Sequence, residues 1–209
     1  MNPQVRNFAF RLIVVTAILL SLGEVFGASL VSPILPLIGW EIETIDDSFR
    51  VDGINVVSKR NNSVIQLKAA QIRPMIIGDH VLQPKPGRFF EPNILVGSVL
   101  QPIIVLLTIL LSWQAKSYLV ILLRLLLGVP VAAFLVATNT PLAFVGAMWD
   151  FRELVANLEP HTLVYWNDFL QTGGPLVMAI ASALLVVSVA DRWKNFYLGN
   201  NSVTTTGNL

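Results

Sequence analysis

The chain has 209 residues, 54% hydrophobic and 13% charged, about half the charged share of an ordinary soluble domain, and its mean hydropathy is +0.67. This balance excludes a disordered protein, a nucleic-acid binder with a basic tail and an ordinary cytosolic enzyme. Fourteen basic and thirteen acidic residues leave a net charge of +1, so bulk electrostatics select no partner. Without cysteine there is no disulfide framework, thiolate metal site or Cys nucleophile.

What remains is an integral membrane protein. Four apolar stretches stand out in chain order. The first runs from Phe8 to Ser29, with Arg11 near its start and Glu24 towards its end. The second covers Ile94 to Trp113 without a charge, the third Tyr118 to Thr138 with Arg124 alone, and the fourth Pro175 to Ala190. Crossing a hydrocarbon core of ~30 Å takes about 20 helical residues. Three stretches reach that length; the fourth does so with its flanks Gly173–Gly174 and Asp191–Trp193. The expected fold is therefore an all-α transmembrane bundle of four membrane-spanning helices. A small extracytoplasmic antiparallel β segment lies between the first and second helices.

Arg6 and Arg11 followed by Leu12–Leu22 also have the layout of a secretory signal peptide; we read the segment as a retained anchor. Its continuation, Ala28 to Trp40, stays apolar but carries Pro33 and Pro36, which interrupt or kink a helix. The continuation is expected to leave the bilayer along its surface or as a broken extension. The first unit is thus residues 1–40.

Residues 41–92 have a different character. β-Branched residues alternate with polar ones in Glu41–Ile45, Phe49–Val51, Ile54–Val57 and Val64–Lys68, which predicts short antiparallel strands. Asp52-Gly53 and Asn61-Asn62 are the turn signals. Gln71 to Ile77 would add a strand broken at Pro74, and Gln83-Pro84-Lys85-Pro86-Gly87 reads as a stiff linker. A segment of this size buries little core of its own, so it should lean on the membrane helices or on a partner.

Residues 93–193 form the three-helix membrane region. Thr138-Asn139-Thr140-Pro141 is expected to end the third helix. Phe151, Leu154, Val155 and Leu158, then Leu163, Trp166, Phe169 and Leu170, follow helical spacing. They predict an external amphipathic segment over 149–172, with an acidic polar face of Asp150, Glu153, Glu159 and Asp168. Residues 194–209 read as a polar, mobile C-terminal tail. Raw Lys/Arg counts, six on the inner side against eight on the outer, do not settle orientation, but Arg6, Arg11, Lys116, Arg192 and Lys194 lie close to span ends, which favours both termini inside and residues 41–92 and 149–172 outside; the expected setting is a bacterial inner membrane with cytoplasmic termini. Trp40, Trp149 and Trp166 then mark the outer boundary, and Trp113 and Trp193 the inner one.

Charges inside a bilayer are costly, so Glu24 and Arg124 are the intramembrane candidates for function or pairing. Glu24 lies sixteen residues beyond Phe8, roughly 24 Å by helical rise, which puts it close to the outer interface. Arg124, six residues past Tyr118, is expected to snorkel to the inner boundary. The two depths are too different for one to pair with the other. Asp79, His80 and His161 make a weak external metal or polar site. Two histidines without a ligand-spacing motif read better as solvated turn residues, so no metal and no cofactor are expected. No catalytic constellation is present on a plausible element. Gly128-x-x-x-Ala132 and Ala179-x-x-x-Ala183 are helix-packing motifs that let backbones approach closely.

The functional expectation is a non-catalytic accessory or structural subunit of a larger membrane complex, contributing helix packing and an external interaction surface. Its partners would be the lipid bilayer and other membrane subunits, with no nucleic acid. The alternative is a small membrane enzyme or transport component using Glu24.

Overall fold

A computed structural model of the chain describes residues 3–59, 62–77, 80–84, 87–115, 117–156 and 162–200. It is mostly helical with a small antiparallel sheet. Helix α1 (Pro3–Val31) passes through one 3-10 turn at Ser32–Ile34 into α2 (Leu35–Ile45). Strands β1 (Phe49–Lys59), β2 (Asn62–Gln71), β3 (Met75–Ile77), β4 (His80–Leu82), β5 (Phe89–Phe90) and β6 (Asn93–Leu95) follow. The chain then continues as α3 (Val96–Ser112), α4 (Tyr118–Ala156), α5 (Thr162–Gln171) and α6 (Gly174–Asn200). Among the described residues, three runs are long and apolar enough to cross a membrane: Val5–Ile45, Tyr118–Phe151 and Gly174–Trp193. Helix α3, at 17 residues, is shorter.

Several sequence expectations need correction. Glu41–Ile45 is the last turn of α2 rather than a strand. The apolar positions Leu35, Ile38, Gly39 and Ile42 are all buried, and their spacing continues the helical period, which outweighs five residues of alternation. Pro33 lies in the 3-10 turn, and Pro36 lies in the first turn of α2, where the helix resumes. Asp52-Gly53 is not a turn. The pairing of β1 with β2 slips between Val51 and Gly53, so the dipeptide forms a bulge within one long strand. Ile94 belongs to β6 and pairs with Ile65; the helix begins only at Val96. Thr138–Pro141 lies inside α4, which runs through both Pro130 and Pro141. Proline is tolerated within an apolar helix where neighbours satisfy the freed backbone groups. Finally, α6 continues through the start of the presumed tail to Asn200.

The sheet has β2 at its centre, with β1 on one edge and β5 and β6 sharing the other; β3 and β4 form a separate hairpin. Ile65, Leu67 and Ala69 alternate along β2 and are fully buried. They join Phe49 from β1, Ile38 and Ile42 from α2, Val96 and Val99 from α3, and Phe144 and Met148 from α4 in one core. The small sheet therefore leans on the helices, as its size requires. Val51 donates its N–H to Glu43 Oε1 at 2.7 Å, and Trp149 Nε1 donates to Asp46 Oδ2 at 2.9 Å. Both bonds tie α2 to its neighbours, β1 and α4. A second core joins Leu106 and Leu110 of α3, Leu135 of α4, and Ala179, Ala183, Val186 and Val187 of α6. The molecule thus has a sheet end and, opposite it, an end formed by the α3–α4 turn.

Candidate functional site

The α3–α4 turn is held by one side chain. Arg124 stands six residues into α4 and is 0% exposed. Its Nη1 donates to the Trp113 carbonyl at 2.9 Å, and its Nη2 donates to the Gln114 carbonyl at 3.2 Å and to Asp191 Oδ1 at 2.8 Å. The expected snorkelling arginine is instead a buried clasp. A planar guanidinium can serve several acceptors at fixed angles, and here they come from the end of α3 and from α6. Trp113 also meets Phe8 edge to face at 5.6 Å, which brings the start of α1 to the same place. Asp191 is half exposed, so it meets the buried cation from the open side.

Between the two ends runs the small-residue seam. A Cβ on Gly128 would fall 2.5 Å from Leu110 Cδ1, so α4 and α3 are in close approach there. Ala179 and Ala183 are fully buried in the core shared by α3, α4 and α6, and Ala132 packs against it. These four residues join helices of the same chain. On α1, Gly23 abuts Ile104 and Gly27 abuts Leu100 and Val96, which seats α1 against α3.

At the sheet end a cleft of about 420 Å³ opens between β6, α3, α4, α5 and α6. Asn139 of α4 forms part of its wall and is 8% exposed; its Oδ1 and Nδ2 are both buried and have no hydrogen-bond partner among the described residues. Thr140 and Asn167, also buried, share the lining with Ser98, Gln101 and Gln171. Gly146 makes the cleft's α4–α5 corner possible, since a Cβ there would lie 2.6 Å from Asn167 Cβ and 2.9 Å from the Leu163 carbonyl oxygen. Among the described residues no ionisable side chain lines the cleft.

Glu24 is exposed on α1, next to exposed Val25 and Phe26, and no hydrogen bond or ion pair to it occurs among the described residues. With Gly23 against Ile104 and Gly27 against Leu100, Glu24 stands between the levels of Leu100 and Ile104 on α3. That is roughly 8–10 Å in from Val96 by helical rise. Arg124 and Glu24 are far apart along the bundle, as their spacing implies. His80 opens β4 opposite Ile77, while Asp79 and His161 lie outside the described residues. Among the described residues no three His, Asp or Glu side chains gather as metal ligands would.

Sequence reasoning missed Asp191 as the partner of Arg124 and missed Asn139 altogether. The first was findable, because the two are opposite charges at the turn ends of two apolar helices. The second was hidden by reading Thr138–Pro141 as a helix stop. Comparison with protein-family models, with curated proteins and with solved structures gives no match.

Proposed function

We propose that the chain is a non-catalytic accessory subunit of a larger membrane complex, with α1 as its docking helix. The carrying observation is Glu24, a carboxylate without a partner among the described residues, on a face of α1 turned away from its own bundle. Phe10, Ile13, Ile18, Val25 and Phe26 are also exposed on this helix. An uncompensated charge at that depth is costly in hydrocarbon, and a donor on a neighbouring helix removes the cost. In this reading α1, α3, α4 and α6 each cross a bacterial inner membrane, with α3, about 25 Å long by helical rise, completed by its flanks. Both termini and the Arg124 clasp face the cytoplasm, where Arg6, Arg11 and Arg192 satisfy the positive-inside rule. The sheet, α2, the end of α4 and α5 form the external layer.

Native purification in mild detergent, with mass spectrometry of co-migrating chains, tests this. Wild type should carry at least one further membrane subunit. Glu24→Leu should reduce its recovery about tenfold, since an interhelical polar contact in a membrane contributes about 1–2 kcal/mol, without altering the chain's own unfolding. A lone monomer refutes the proposal. Intact assembly with lost turnover or transport in Glu24→Gln would instead select the enzyme or transporter reading.

A further inference from the structure

We propose that the cleft at the sheet end binds an uncharged acylglycerol, with its glycerol hydroxyl and ester carbonyl on Asn139 and its acyl chain between α3, α4 and α6. This site is separate from the Glu24 face and does not depend on the subunit reading. Three observations select the ligand class. Among the described residues the lining has no ionisable side chain, so none of them offsets the charge of a phosphate or an amine, and a charged head would be desolvated without compensation from them.

Second, the polar side chains of the cleft are densest towards the sheet end, with Gln101 beside Pro102 further in. Asn139 is eleven residues on from Gly128, as Val99 is eleven back from Leu110. Because Gly128 abuts Leu110 and the helices run in opposite directions, Asn139 stands level with Val99, roughly 5 Å in from the end of α3. Asn93, Asn167 and Gln171 line the cleft on its sheet and α5 side, and Pro102 and Leu135 line it further along the bundle. An amphiphile whose head lies at a helix end and whose tail runs inward matches that gradient.

Third, the carboxamide of Asn139 has neither a donor nor an acceptor partner among the described residues, and an unpaired buried polar group is expensive to leave so. A rotation of the side chain towards the cleft lets Nδ2 donate to an ester carbonyl while Oδ1 accepts from the neighbouring hydroxyl. The cleft is far roomier than the ~30 Å³ of a single water molecule, and its volume is that of a small-molecule site.

The test uses the purified full chain in lipid nanodiscs with a diacylglycerol carrying a photoreactive acyl chain. A phosphatidylglycerol with the same chain is the charged control. The diacylglycerol should label α3, α4 and α6 around Pro102, Leu135 and Leu176, several-fold above the control, and unlabelled diacylglycerol should compete. Asn139→Leu should cut this labelling about tenfold while leaving the thermal midpoint of the lipid-free protein unchanged or raised, since it removes an unpaired amide. Equal labelling by both probes, or undiminished labelling of Asn139→Leu, overturns the proposal. So does a lowered midpoint in a folded Asn139→Leu, because the amide would then be serving the fold. If Asn139→Leu does not fold, Ala143→Phe, which fills the cleft one turn along α4, replaces it; retained labelling there overturns the proposal equally.

Discussion

Arg124→Ala should lower the unfolding free energy of the detergent-solubilised chain by about 3 kcal/mol, the sum of lost charge-assisted hydrogen bonds and a cavity. The Trp113 and Gln114 carbonyls lose their donor, and α6 loses its tie to the α3–α4 turn. Asp191→Asn should cost less, about 1–2 kcal/mol, because Asp191 is half exposed, its charge is partly screened, and the amide oxygen can still accept. Arg124→Lys separates a clasp from a snorkelling anchor. A single ammonium cannot reproduce the fork, so lysine should recover little of the loss, whereas an anchor needs only a long cationic side chain. Equilibrium unfolding of the three variants reads all of this. A change below about 0.5 kcal/mol for Arg124→Ala, within the range of an ordinary surface substitution, would show that the clasp contributes nothing.

Gly146→Ala should destabilise by about 2 kcal/mol through overpacking, while Gly128→Ala should be nearly neutral. Both glycines are buried and both lie in α4, so helix propensity favours alanine equally, by about 1 kcal/mol. The difference is what the new methyl meets. At Gly146 it meets Asn167 Cβ and the backbone oxygen of Leu163, so α5 must move as a body. At Gly128 it meets the tip of Leu110, which can change rotamer. The same unfolding measurement ranks them, and a Gly128 variant less stable than the Gly146 variant would reverse the expectation. Because Asn167 also lines the cleft, a displaced α5 should weaken acylglycerol labelling in Gly146→Ala and leave it unchanged in Gly128→Ala.

The elements that could be read from the sequence are those whose periodicity runs long. The apolar stretches of α1, α4 and α6 and the alternation of β2 each repeat one pattern over many residues, and each produced its element. Boundaries failed where two patterns overlapped. Ile42 sits in a short alternating run and also in the i, i+3, i+4, i+7 series of α2; burial against the sheet decided for the helix. Pro141 signals a stop because proline removes a donor, but α4 runs through it, packed against α2, α3, α5 and α6, and tertiary contacts prevail over local preference. Pairings were the least legible. Arg124 and Asp191 are 67 residues apart, and only the antiparallel arrangement of the helices brings them together. The polar residues of the cleft come from β6, α3, α4 and α5, so no local motif announces them.

The membrane setting is the premise on which the rest stands, and the absence of cysteine makes it directly measurable. Single cysteines at Ser63, in the exposed part of β2, and at Gln114, in the α3–α4 turn, provide one label at each end of the bundle without touching the clasp's backbone acceptors. In spheroplasts treated with a membrane-impermeant maleimide, Ser63→Cys should react at once and Gln114→Cys only after the membrane is opened. Reaction of both cysteines from the same side, or recovery of the folded chain dispersed in detergent-free buffer, would contradict a bundle that crosses the bilayer.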